Sequence, residues 1–386
     1  MSGWQIRGEW FRLNRLVAVF FMVSCSPSLV NADSMDNWQT LVEAGIASRE
    51  QARYEEAEGL FLLAGHETER FDSNDPRVAA TLNHLGLVYH AQGQYARAKP
   101  YYEQALNRWE RAFGPDHADV ASALHNLADV YLEEGAFEQA EAYYSRSLVI
   151  GERVLGRGHP ELAIGYNSLA SLYRKQGRLA QSESKYSLAL ALLQGSDGSG
   201  PVDSAPILNN LAALYKEKGL YVYAEPLYQQ ALSLRRARLG DQHPAVAMSL
   251  NNLANLYHTQ GLSESADRYY RDALAAAESS VGPEAALTGT ILGNWASLLH
   301  ERGLVDEAKL RYERALIVQQ QTLGNNHPMM TVILDRYARL LREVGQPVEA
   351  KLFAVRAEDI RTRQSRSSRV PARSLQNEPN HDGQQE

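Results

Sequence analysis

Cysteine is almost missing from this chain: one residue, Cys25, stands among 386. That excludes a disulfide framework and a cysteine-based zinc site. A surplus of positive charge is missing too, because the formal net charge is −7. No overall basic field therefore favours nucleic acid. The N-terminal apolar run LVAVFFMV, residues 16–23, is too short to cross a bilayer, which takes roughly twenty residues. Catalytic signatures are absent as well: the sequence has no GxxxxGK[ST], no GxSxG and no HExxH. These absences lead to the expectation of no enzyme, no metal, no cofactor and no nucleic-acid partner. What is present is apolar content of 44%, enough for a large core or several.

The first residues differ from the rest. Arg7, Arg12 and Arg15 precede the apolar run, a pattern that fits a secretory signal. Two processing sites compete. MVSC resembles a bacterial lipobox, which would make residues 1–25 a signal and Cys25 a lipidation site. Val30-Asn31-Ala32 instead offers the small-residue pattern of ordinary signal peptidase, with cleavage after Ala32. The lone cysteine at the end of the apolar run favours the lipoprotein. Either way the mature chain is expected outside the cytoplasm, in a bacterial periplasm, and any membrane association would come through the lipid anchor.

A ruler of 42 residues runs through the remainder. Gly93, Gly135, Gly177, Gly219, Gly261, Gly303 and Gly345 stand one period apart. A small-residue column runs Gly86, Ala128, Ala170, Ala212, Ala254, Ala296, Ala338, and a second runs from Ala98 to Ala350 with Ser182 in it. Tyr102, Tyr144, Tyr186, Tyr228, Tyr270 and Tyr312 form a further column, broken at Ala354. Within one period, Leu250, Leu253, Ala254 and Tyr257 share a helical face, and a second apolar face follows Gly261. Each period therefore predicts two helices joined at a left-handed glycine. One hairpin cannot bury both faces, so neighbours must stack into a solenoid. Asp75-Pro76, His159-Pro160, His243-Pro244 and His327-Pro328 recur every second period, where proline suits the first turn of a helix. The alternate junctions carry Gly114-Pro115, Gly200-Pro201 and Gly282-Pro283. The Gly-rich segment 195–204 is expected to be the loosest junction.

At these columns, in the phrase LNNLANLYHTQG…A…YY..AL, the chain resembles the tetratricopeptide (TPR) repeat, and more narrowly the 42-residue version of kinesin light chains. The resemblance implies an all-α, right-handed superhelical solenoid over residues 37–364. About eight repeats are expected, near 37–69, 70–113, 114–156, 157–198, 199–240, 241–282, 283–324 and 325–364. The first is degenerate, with Ala52 in place of the glycine. Residues 26–36 are expected to be linker and 365–386 a disordered tail. With no N-terminal heptad segment, the resemblance implies fold and binding style rather than motor function.

Two surface patterns stand out. Taking about 100° per residue and Leu250 as zero, Asn251 and Asn252 lie near 100° and 200°, flanking the direction opposite the core. Relatives of the pair include Asn83, Asn126, Asn167, Asn209-Asn210 and Asn294. In the TPR family that side of the first helix lines the concave groove where extended peptides bind, and amides can grip a peptide backbone. The same asparagines could instead bond between adjacent helices and set the superhelix pitch, so both readings stay open. Eight residues after Leu250, near 80° and on one edge of the groove, the column His90, Leu132, Arg174, Lys216, His258, His300 and Arg342 is basic or titratable at all but Leu132. Glutamates that follow would compensate it in part, and Arg174-Lys175 breaks that pattern, making an anion patch with Lys216. The expectation is a protein-interaction scaffold that takes an extended, acidic segment of a protein or peptide partner. The alternative is an assembly subunit of an envelope complex acting through its outer face or ends, with homo-oligomers possible.

Overall fold

The computed structural model describes residues 32–51, 53–72, 74–193 and 202–367. The signal segment with Cys25, most of the Gly-rich junction, Ala52 and the tail from 368 lie outside them. The described residues form sixteen α-helices and no strand. They are α1 (Ala32–Glu50), α2 (Tyr54–Thr68), α3 (Pro76–Ala91), α4 (Tyr95–Phe113), α5 (Ala118–Glu133) and α6 (Phe137–Leu155). Next come α7 (Leu162–Lys175), α8 (Leu179–Leu192), α9 (Ala205–Glu217), α10 (Tyr221–Leu239) and α11 (Pro244–Thr259). The last are α12 (Ser263–Ser280), α13 (Ala286–Glu301), α14 (Val305–Leu323), α15 (Met330–Glu343) and α16 (Pro347–Ser367). Consecutive helices pair as A and B of eight repeats. The first helix thus begins inside the segment expected to be linker, and the last runs past residue 364.

The columns explain the pairing. Ala128, Ala170, Ala212 and Ala254 on A helices are fully buried, as are Ala140, Ala224 and Ala266 on B helices. With no side chain beyond Cβ at the crossing, the two helices approach closely. The tyrosine column from Tyr102 to Tyr312 fills the adjacent space and is at most 3% exposed. The A-to-B turn is closed by glycine: at Gly261, φ is +74°, Gly261 N–H donates to His258 O, and Leu262 N–H donates to Tyr257 O at 2.9 Å. This is the left-handed helix stop that a β-carbon would strain.

Junction residues open the next helix. Asp75 Oδ1 accepts from Arg77 N at 2.9 Å, and His243 Nδ1 accepts from Ala245 N at 3.1 Å. His159 and His327 do the same for Glu161 and Met329. The histidines therefore serve as helix-start acceptors, which satisfy a backbone N–H that the helix cannot.

Neighbouring A helices pack more closely than neighbouring B helices, so the A helices line the inside of the curve. At the far end, α16 replaces the buried Tyr312, Leu316 and Gln319 of the preceding B helix by Ala354, Glu358 and Arg361. Arg361 pairs with Glu358 and with Asp335. The charged face closes the stack, as terminal repeats require.

Candidate functional site

The asparagine columns do not line an open groove. Asn83, Asn167, Asn209, Asn210, Asn251 and Asn294 are buried, and only Asn126 and Asn252 stay half-exposed. Each A helix from repeat 2 to repeat 7 has an A helix on both sides. The column near 100° faces the next repeat, and the column near 200° faces the previous one. Across this contact Asn126 Nδ2 donates to Asn83 Oδ1 at 2.8 Å, and Asn210 Nδ2 to Asn167 Oδ1 at 3.0 Å. Asn252 donates to Asn209 and Asn294 to Asn251, both at 3.2 Å. Where repeat 3 has His125, Ser168 Oγ lies 3.3 Å from its Nε2. Where repeat 7 has Gly293, Arg336 Nη1 reaches past it to Asn294 Oδ1 at 3.1 Å. Six rungs thus join repeats 2 to 8. The reading of these amides as a peptide grip is corrected: their partners are one another, because a helix wheel drawn for one helix cannot show the two that flank it.

The basic column behaves differently. His90 is buried, with its ring edge against Tyr95 and Tyr102. His258 Nε2 lies 2.9 Å from Glu301 and His300 Nε2 lies 2.7 Å from Glu343, each an acid one repeat further on. Arg174 Nη1 stands 3.5 Å from Glu217, and Lys175 Nζ stands 3.2 Å from Glu133 in the repeat before. Arg174 and Lys175 are therefore compensated, contrary to the expectation that they break the pattern. Arg174, His258 and His300 each meet the acid in the next repeat, and Lys216 does not. The position that should supply its carboxylate is Thr259.

Among the described residues, Lys216 has no ion pair and no hydrogen bond, although it is only half-exposed. Burial lowers its pKa below the ordinary lysine range, Arg174 and Arg336 push the same way, and Glu217 opposes them. Arg336 belongs to α15, three repeats from Lys216 on α9, and its charge still acts on Lys216. Arg336 belongs to the asparagine column and breaks it, so its odd identity there is the signal in the sequence.

A second network lies at the seam between repeats. Tyr173 OH donates to Glu141 at 2.9 Å, and Arg178 pairs with Glu141 at 2.7 Å and lies over the Tyr173 ring. Tyr89, Glu58 and Arg97 repeat the arrangement, and so do Tyr215, Glu183 and Lys218. These trios link an A helix to the B helix of the previous repeat.

Among the described residues no three His, Cys, Asp or Glu side chains converge to hold a metal ion, and no helix is long and apolar enough to cross a membrane.

Residues 77–150, 123–195, 203–279 and 287–363 match the family model of the tetratricopeptide repeat. No curated protein matches the chain. Among solved structures, a tetratricopeptide repeat protein from Parabacteroides merdae ATCC 43184 is 19% identical, with a TM-score of 0.50 over 79% of this chain and 99% of that one. The nearly identical TPR-like repeats of a kinesin light chain-type protein from Podosopora anserina are 20% identical, with a TM-score of 0.43 over 53% of this chain and 96% of that one. At such identities the likeness concerns the fold. TPR repeats are in general protein–protein interaction modules rather than catalysts. With the family model matched from the second repeat to the last, and its helix pairs built from the columns above, this chain belongs to the tetratricopeptide repeat family.

Proposed function

We propose that this chain is a non-catalytic scaffold whose concave wall takes an extended acidic segment of a partner protein, centred on Lys216. The observation that carries this reading is the missing acid at Thr259. It leaves one half-buried cation without a counter-ion on the inner wall, with Arg174 and Arg336 adding charge of the same sign. A carboxylate arriving there would relieve that repulsion, and the low exposure of the ammonium weakens screening by salt. The experiment is fluorescence anisotropy with a labelled glutamate-rich peptide. Lys216→Glu should weaken binding by roughly tenfold or more and reduce its salt dependence. Equal affinity and equal salt slope in the variant would overturn the reading.

The N-terminal pattern extends the proposal to an exported protein of a bacterial periplasm, tethered through Cys25 or, with cleavage after Ala32, released from the membrane.

A second reading has its own observation. Val348, Leu352 and Val355 on α16 are 77%, 68% and 58% exposed, and Leu310 on α14 is 65% exposed. An apolar strip on the outer face suits assembly with a second surface. Leu352→Glu followed by light scattering tests it: a self-assembling scaffold would lose mass, whereas a groove binder would keep both its mass and its peptide.

A further inference from the structure

Seven glycines close the A-to-B turns, and all have the same left-handed backbone, with φ between +72° and +78°. Their surroundings are not the same. A β-carbon placed on any of the six from Gly135 to Gly345 would meet nothing within 4 Å. On Gly93 it would stand 3.0 Å from His327 Nε2, 3.3 Å from His327 Cδ2 and 3.5 Å from Pro328 Cδ. Gly93 is in the turn of repeat 2. His327 and Pro328 form the junction between repeats 7 and 8. These parts are far apart along the chain, and stacking neighbour on neighbour does not bring them together.

His327 carries the mark of that encounter. It is 7% exposed, whereas its equivalents His159 and His243 are half-exposed and exposed. All three rings use Nδ1 to accept a backbone N–H two residues on. The neutral ring of His327 therefore carries its proton on Nε2, the atom turned toward Gly93. The influence of Arg336 on Lys216, three repeats away, agrees with a tight curve.

We infer that the solenoid closes on itself after about one superhelical turn, through packing of the His327-Pro328 junction on the Gly93 turn, so that the concave wall encloses a channel. A partner segment then enters laterally only when this contact parts. The closure stands on the contact itself, and the control of entry rests on the groove reading given above.

The geometry supplies its own control. Gly93→Ala and Gly261→Ala impose the same left-handed strain on a residue with a β-carbon. Only Gly93→Ala also drives a methyl into His327. Spin labels at Ala96→Cys and Asn326→Cys, in full-length protein with Cys25→Ser, would report the distance across the contact. The expected result is one short distance in the parent and in Gly261→Ala, and a shift to longer, broader distances in Gly93→Ala and in His327→Ala. Circular dichroism should show equal helicity in all four. A long distance in the parent overturns the closure, and so does an unchanged distribution in both Gly93→Ala and His327→Ala.

A second arm uses the labelled glutamate-rich peptide and stopped flow. The two opened variants should associate several-fold faster than Gly261→Ala. Opened distances with an unchanged association rate would remove the control of entry and leave the closure intact. If the parent fails to bind the peptide while the distances behave as expected, the groove reading fails and the closure survives.

Discussion

Asn294 donates its side-chain amide to Asn251 Oδ1 at 3.2 Å, from the inner helix of repeat 7 to that of repeat 6, and both residues are buried. Removing one partner leaves the other without water or protein to bond. Asn294→Ala should destabilise the fold by about 1–3 kcal/mol. A double-mutant cycle with Asn251→Ala, read by urea unfolding, should return a coupling of at least about 0.5 kcal/mol. Additive losses would mean that the rung is not formed in solution.

Thr259→Glu should silence Lys216 without touching it. The new carboxylate stands where Glu217, Glu301 and Glu343 stand for the other cations of the column. The affinity for a glutamate-rich peptide should fall by roughly tenfold, while Thr259→Gln leaves it within about twofold. Titration by NMR of the Lys216 ammonium should show its pKa rising in the glutamate variant.

How much of this was legible beforehand differs from feature to feature. Tyr270, Ala254 and Gly261 fixed the period, the helix faces and the turn, because each of these depends on residues within one repeat. The angles of Asn251 and Asn252 follow from one helix alone. What they face does not, because the direction opposite one helix's core is occupied by two other helices. Lys175, not a glutamate, follows Arg174 in the sequence, so that cation looks uncompensated there. Its true partner, Glu217, is one repeat away, at a distance that depends on how the repeats stack. The meeting of Gly93 with His327 depends on curvature summed over six repeats, which no local pattern encodes.

His84 is stacked on Phe61 with ring centroids 5.0 Å apart, and burial, aided by Arg49, pushes its pKa down to about 3. Burial lowers His125 as well, against the pull of Asp129. In the unfolded chain both titrate near 6.5. Between those values the unfolded state binds more protons, so stability is full above about pH 6.5 and falls as pH drops toward 3. Urea midpoints between pH 7 and 4.5 should decline. His84→Phe should flatten the slope by up to about 1.4 kcal/mol per pH unit.

Gly86 occupies a column where six other repeats carry alanine, yet alanine should not be tolerated there. Its β-carbon would sit 2.6 Å from Tyr102 Cε1 and 2.7 Å from Cδ1. Helix propensity would gain up to about 1 kcal/mol, against about 1–3 kcal/mol for overpacking a ring that is fully buried. Thermal unfolding of Gly86→Ala should therefore occur at lower temperature than that of the parent.

Lipidation at Cys25 predicts that globomycin makes the precursor accumulate in the bacterial host. It also predicts that Cys25→Ser moves the protein from the membrane to the soluble fraction. Processing after Ala32 predicts neither effect, and mass spectrometry of the mature N-terminus reads the difference.

The pairing of Arg174, His258 and His300 with an acid one repeat later makes the charge of the inner wall depend on the number of repeats. Excise one period between Lys216 and Glu301, and Glu301 moves into the place of Thr259. The open ammonium would then acquire a counter-ion although no residue around it had been exchanged. A duplicated period would likewise separate Gly93 from His327. Under the proposed reading of Lys216, the unit of inheritance that sets binding is the repeat, and the copy number acts as a dial on recognition.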